Sequence, residues 1–143
     1  MLFLDVNICV AAIRPDSSDQ ANAVRDWLEP RLSGHIPVGI SDVALSAMIR
    51  IATHPRIFAT PTSPGEAMTF ADALRTAPAA ETVRPGQRHW SIFRNLVAGH
   101  RLRGNDVPDA YLASLALEHG ATFVTRDRGF GRFAGLKLLD PLA

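Results

Sequence analysis

The chain has 143 residues, with fifteen Lys+Arg against fourteen Asp+Glu and a formal net charge of +1. At 47% hydrophobic and 20% charged, it has the composition of a globular protein able to bury a core unaided, and not of a disordered one. Its single cysteine, Cys9, excludes an intramolecular disulfide and a cysteine-based zinc cluster, and no apolar run approaches the ~18 residues of a membrane span.

Met1–Leu4 is a short apolar run broken by Asp5, the pattern of a buried parallel strand. Asp19–Leu32 carries Ala23, Val24, Trp27 and Leu28 on one stripe and predicts a helix. Ser41 or Asp42 caps a second helix that runs to about Thr53 and stops at His54-Pro55. Thr62-Ser63-Pro64-Gly65-Glu66 opens a third, ending near Thr76. Ala80–Val83 reads as a short strand, and Gly86–Leu102 as a helix with Trp90, Phe93, Leu96 and Val97 facing inward. Pro108–His119 is the clearest helix, closed by Gly120; Ala121–Thr125 and Leu136–Leu139 are the remaining strands.

Strands interleaved with helices predict one domain over residues 1–143, an α/β/α sandwich around a mainly parallel sheet. The opening lacks the basic and long apolar regions of a signal peptide, so the expected compartment is the cytoplasm. Ligands of such sheets bind at the carboxyl ends of strands, where Asp5 and Asp127 both fall.

Asp5 ends its strand, with Asn7 expected on the same side; the same residues also suit an Asx turn. In Asn105-Asp106-Val107-Pro108-Asp109, Asp106 suits an N-cap and Asp109 lies in the first turn. Asp109 either complements the helix dipole, worth about 0.3–1 kcal/mol, or serves a site on the face it shares with Ala113. Asp127, between Arg126 and Arg128, is either part of a surface ion pair or a third site acid. Carboxylates brought close raise one another's pKa unless a cation neutralises them, and all-oxygen ligation points to Mg²⁺ or Mn²⁺. Such an ion keeps waters, one of which can attack phosphorus. The five histidines are scattered, and GxSxG, GxxxxGK[ST], GxGxxG and HExxH are all absent.

The segments LFLDVN, SDVALSAMIRIATHPRIF, TSPGEA, RPGQRHW and GNDVPDAYLASLALEHGATFVTRDRGFGRF run in order over nearly the whole chain. Together they resemble the PIN-domain ribonucleases, specifically the VapC-type toxins of bacterial toxin–antitoxin pairs. The resemblance implies a PIN fold, a Mg²⁺- or Mn²⁺-dependent ribonuclease acting on tRNA, rRNA or mRNA, a VapB-type antitoxin, and a homodimer. Asp5 matches the family's first metal-binding acid, Asn7 its polar companion, Asp109 the acid of the D-x-x-L-A helix motif, and Asp127 the acid after the last long strand. Asp5, Asp109 and Asp127 are thus expected to hold the metal.

Two positions depart from the family pattern. Aligning on Arg50 puts Ala47 where the family carries a glutamate. Asp42, about one turn earlier, or Asp106 is expected to complete the catalytic set. Gly129 also stands where a further acid often precedes the phenylalanine. Arg50, Arg126, Arg128 and Arg132 are the candidate phosphate contacts, with solvated surface arginines as the plain alternative. All but one of the fifteen basic residues are arginine, which GC-rich coding explains as readily as RNA binding. Ala47 keeps a second reading open, a catalytically weakened PIN protein that binds RNA or antitoxin without efficient cleavage. A phosphotransferase using Asp5 as nucleophile is disfavoured because its second acid would be Asn7.

Overall fold

In the computed structural model, which describes residues 1–143, the first apolar run is β1 (Leu2–Leu4), at the centre of a five-stranded sheet. β2 (Val38–Ile40) and β4 (Thr122–Val124) flank it, and β3 (Ala80–Thr82) and β5 (Lys137–Leu139) form the edges. The order is β3-β2-β1-β4-β5, and every pairing is parallel. Leu4 pairs with Val124, which brings the residues after both strands side by side. The chain leaves β1 towards β2 on one side and returns through β4 on the other. This is the switch point at which a parallel sheet opens a crevice at its carboxyl edge.

Side chains alternate across the strands, so each face gathers its own core. Leu4, Val38, Ile40 and Val124 pack under α1 (Val6–Ile13), α2 (Asp19–Leu28), α3 (Asp42–Ala52) and α4 (Pro64–Arg75). Phe3 and Phe123, with ring centroids 5.5 Å apart, face α6 (Val107–His119) and the Phe130–Phe133 pair; α5 (His89–His100) packs outside them. The layers are those the sequence predicts, and each large side chain buried there contributes about 1.5–3 kcal/mol.

Two elements differ from the sequence expectation by their presence. α1 forms from Val6-Asn7-Ile8-Cys9-Val10, a run of strand-favouring residues, because Ile8, Cys9 and Ala12 fill the core at helical spacing. Cys9 is fully buried there, and burial pushes its thiol up to about 12, leaving it inert. β2 is only three residues long and carries Gly39, where an added Cβ would stand 2.8 Å from Val83 Cγ2.

Boundaries move for local reasons. The helix expected over 19–32 ends at Leu28 and tightens into a 3₁₀ turn over Glu29–Ser33, because Pro30 offers no amide to continue it. The helix expected from Gly86 begins at His89, because Glu118 accepts hydrogen bonds from the Gly86 and Arg88 amides and holds that loop. Trp90, expected inside, leans on Phe93 yet stays 66% exposed; His89 takes the buried place, its ring stacked on Phe93 and its Nε2 3.1 Å from the Tyr111 carbonyl.

Candidate active site

At the carboxyl edge of β1 and β4 lies a cleft of about 470 Å³ lined by Asp5, Asn7, Ala47, Arg50, Asp109 and Asp127. Val6, Val10, Ile51, Leu112 and Phe130 give it apolar walls. Three acids from distant parts of the chain thus share one space, each delivered by a different element.

Asp5 is buried, and every one of its partners is neutral. Its Oδ1 accepts from the Val6 amide at 2.6 Å, starting α1, while Oδ2 accepts from the Thr125 hydroxyl at 2.7 Å and from Asn7 Nδ2 at 3.2 Å. Thr125 is the hub: its Oγ1 also accepts from Asn7 Nδ2 at 3.2 Å and from the Asp127 amide at 3.0 Å. One hydroxyl therefore fixes Asp5, Asn7 and the turn that carries Asp127. Burial pushes Asp5 up to about 6, with smaller pushes from Asp109 and Asp127 set against the hydrogen bonds of Thr125 and Val6.

Asp109 projects from the first turn of α6 and is half-buried. Burial raises its pKa, although Arg132 Nη2, 3.3 Å from Oδ2, works in the opposite direction. Asp127 caps a 3₁₀ turn over Arg128–Arg132, its Oδ1 accepting from the Gly129 amide at 2.8 Å.

The other expected site residues lie elsewhere. Ser41 takes the cap of α3, its Oγ accepting from the Ala44 amide at 3.1 Å, which leaves Asp42 exposed at the first helical position. Asp42 pairs there with Arg75 at 3.3 Å and does not line the cleft. Asp106 occupies the N-cap position of α6, yet its side chain makes no capping bond; it is 62% exposed on the rim, 3.8 Å from Arg132. Ala47 does line the cleft, so no carboxylate enters from α3. Arg126 turns to Asp140 at 3.3 Å and Gln20 at 3.2 Å, a strut between the C-terminal segment and α2. Arg50 lines the cleft, Arg128 is exposed beside Asp127, and Arg132 sits on Asp109. The apolar faces of α2 and α3 are mostly spent on the core through Val24, Leu28, Leu45 and Met48.

The donor set suits a hard cation, because carboxylate and amide oxygens are the only ligand chemistry present. As the side chains are placed, no three His, Cys, Asp or Glu groups stand close enough to share one metal ion directly. An ion of the Mg²⁺ type needs only one or two direct carboxylates and keeps several waters, through which a further acid of the cleft can be reached.

The PIN-domain family model matches residues 2–136, and this chain belongs to that family. Among its relatives, Ribonuclease VapC43 of Mycobacterium tuberculosis is 45% identical over 142 residues, covering 99% of this chain and 96% of that protein. Ribonuclease VapC31 of the same species is 33% identical over 141 residues, covering 99% of each. The chain also superposes on VapBC2 from Rickettsia felis bound to a promoter DNA fragment, with a TM-score of 0.69 and 22% identity, covering 97% of this chain and 98% of that one. No helix is long and apolar enough to cross a membrane.

Proposed function

We propose that this chain is the toxin of a type II toxin–antitoxin pair, a ribonuclease that hydrolyses RNA phosphodiester bonds with Mg²⁺ or Mn²⁺ held by Asp5, Asp109 and Asp127. The observation that carries the reading is the meeting of these three acids in one cleft, two of them raised by burial. A divalent ion bound there would lower the pKa of a coordinated water and offset charge developing on the phosphate.

The chain's own residues do the rest. Thr125 and Asn7 orient the Asp5 carboxylate, and the helix start at Val107 presents Asp109 across the cleft. Arg50, which lines the cleft, and Arg128, exposed beside Asp127, would meet phosphate oxygens, with Arg132 doing so from the rim, while Arg126 serves as a strut. Asp42 and Asp106 act outside the metal set, as an ion-pair partner of α4 and as a rim charge. The names of the relatives and structural neighbours support a VapB-type antitoxin as partner. The family match over nearly the whole length supports a single domain. We place the protein in the cytoplasm, as a homodimer, with tRNA, rRNA or mRNA as substrate.

Ala47 supports a second reading, a PIN protein that binds RNA or antitoxin but cuts weakly, since α3 contributes no carboxylate to the cleft. Incubation of the purified protein with cellular RNA separates the two. Mn²⁺-dependent cleavage that EDTA and Asp127→Asn both abolish supports the nuclease; RNA retention without cleavage supports the second reading.

A further inference from the structure

We infer that Arg132 is a resident counter-cation of the acid cleft, seated on Asp109 until a divalent ion displaces it. The inference rests on the metal reading of Asp5, Asp109 and Asp127 given above. Among these three acids only Asp109 has a cationic partner: Arg132 Nη2 lies 3.3 Å from its Oδ2, and 3.8 Å from Asp106 Oδ1. Neither Asp5 nor Asp127 makes a salt bridge.

The guanidinium is held in place from three sides. Its Nη1 donates to the Gly129 carbonyl, and its carbon lies 4.5 Å from the centroid of the Phe133 ring. A Cβ added to Gly129 would stand 3.0 Å from both Arg132 Nη1 and Asp127 Oδ1. A side chain at position 129 would therefore crowd the ends of both the Asp127 carboxylate and the Arg132 guanidinium. One short 3₁₀ turn thus supplies both an acid of the site and the cation that offsets another acid.

A half-exposed pair of this kind is individually weak and gives way to a doubly charged ion that reaches the same carboxylate. While seated, the guanidinium both occupies Asp109 and repels the incoming cation. Once displaced, it remains on the rim, where its planar fork is free to meet a phosphate.

The test is Mn²⁺ binding by the RNA-free protein at neutral pH, followed by electron paramagnetic resonance, with thermal melting to establish that each variant folds. Arg132→Gln is expected to bind Mn²⁺ about five- to twenty-fold more tightly than wild type. Arg132→Lys, which keeps a charge but loses the fork, is expected between the two, and decides the matter should the Gln variant not fold. In an Asp109→Asn background the gain from Arg132→Gln is expected to shrink to the part that comes from removing a nearby positive charge, because the pair it breaks is already gone. Wild-type binding with equal or weaker binding in the Arg132 variants overturns the inference alone. Absence of Mn²⁺ binding in all of them overturns both the inference and the metal reading beneath it.

Discussion

Asp5 and Asp109 face one cleft from opposite walls and are held in different ways. On the strand wall, Asp5 is 5% exposed and wired to Val6, Asn7 and Thr125, all neutral. On the helix wall, Asp109 is half-exposed and already leans on a guanidinium. Both carboxylates are raised, burial being the larger cause in each, yet only Asp109 has a cation to offset it. Asp5 thus carries a stress that a proton or a bound cation relieves, whereas at Asp109 Arg132 already offsets part of the same stress. Substitutions on the two walls should therefore separate activity from stability.

The largest effect falls on cleavage. Asp5→Asn and Asp109→Asn are each expected to lower RNA cleavage by about 10²-fold or more in single-turnover assays. Their thermal melts in EDTA should diverge: only Asp5→Asn removes an uncompensated buried charge. Parallel shifts in melting temperature would break the contrast between the walls.

Next comes pH. The folded-state pKa of Asp5, about 6, lies above the ordinary 3.8, so the folded protein favours the protonated form. The stability this confers is fully present below pH 3.8 and is lost as pH rises through about 6. The drop amounts to about 2–3 kcal/mol for a buried group. Melting of the EDTA-treated protein between pH 4 and 7 should show this decline, Asp5→Asn should lack it, and Mn²⁺ should flatten it.

Thr125→Val should cost about 1–3 kcal/mol, because it removes the shortest bond to the buried Asp5 Oδ2 and the acceptor of the Asp127 amide. It should also weaken Mn²⁺ binding, about 10–100-fold, as loss of a ligand-orienting partner does. Smallest is Arg126→Ala: with the strut to Asp140 and Gln20 gone, stability should fall by no more than about 1 kcal/mol. Mn²⁺ affinity should not change, and an Arg126 variant that altered it would undo the distinction between strut and site.

The three cleft acids were legible in the sequence because each stands at a boundary: one where an apolar run breaks, one in the first turn of a helix, one past a β-rich run. Layer order was legible for the same reason, since strands and helices alternate along the chain. What stayed hidden depends on contacts between distant residues. Nothing in Val6–Ile13 marks a helix until the core on one face of the sheet claims Ile8, Cys9 and Ala12. Thr125 looks like an ordinary strand residue, and only the pairing of β1 with β4 places its hydroxyl against Asp5. Asp42 was a reasonable substitute acid by spacing, but Ser41 caps the helix first and turns Asp42 outward to Arg75. Arg126 and Arg132 look alike in TRDRGFGR, yet one faces Asp140 and the other the acid cleft. A side chain's direction after a strand end is set by the partner it finds, which no local pattern records.

The most direct test of the metal site is calorimetric titration of Mn²⁺ at pH 6, near the pKa of Asp5. Running it in two buffers of different ionisation enthalpy counts the protons released on binding. Wild type is expected to bind Mn²⁺ and release protons, as ligation forces Asp5 into its charged form, while Asp5→Asn binds weakly and releases few. Equal binding by the two proteins, or none by either, would contradict a metal site built on Asp5.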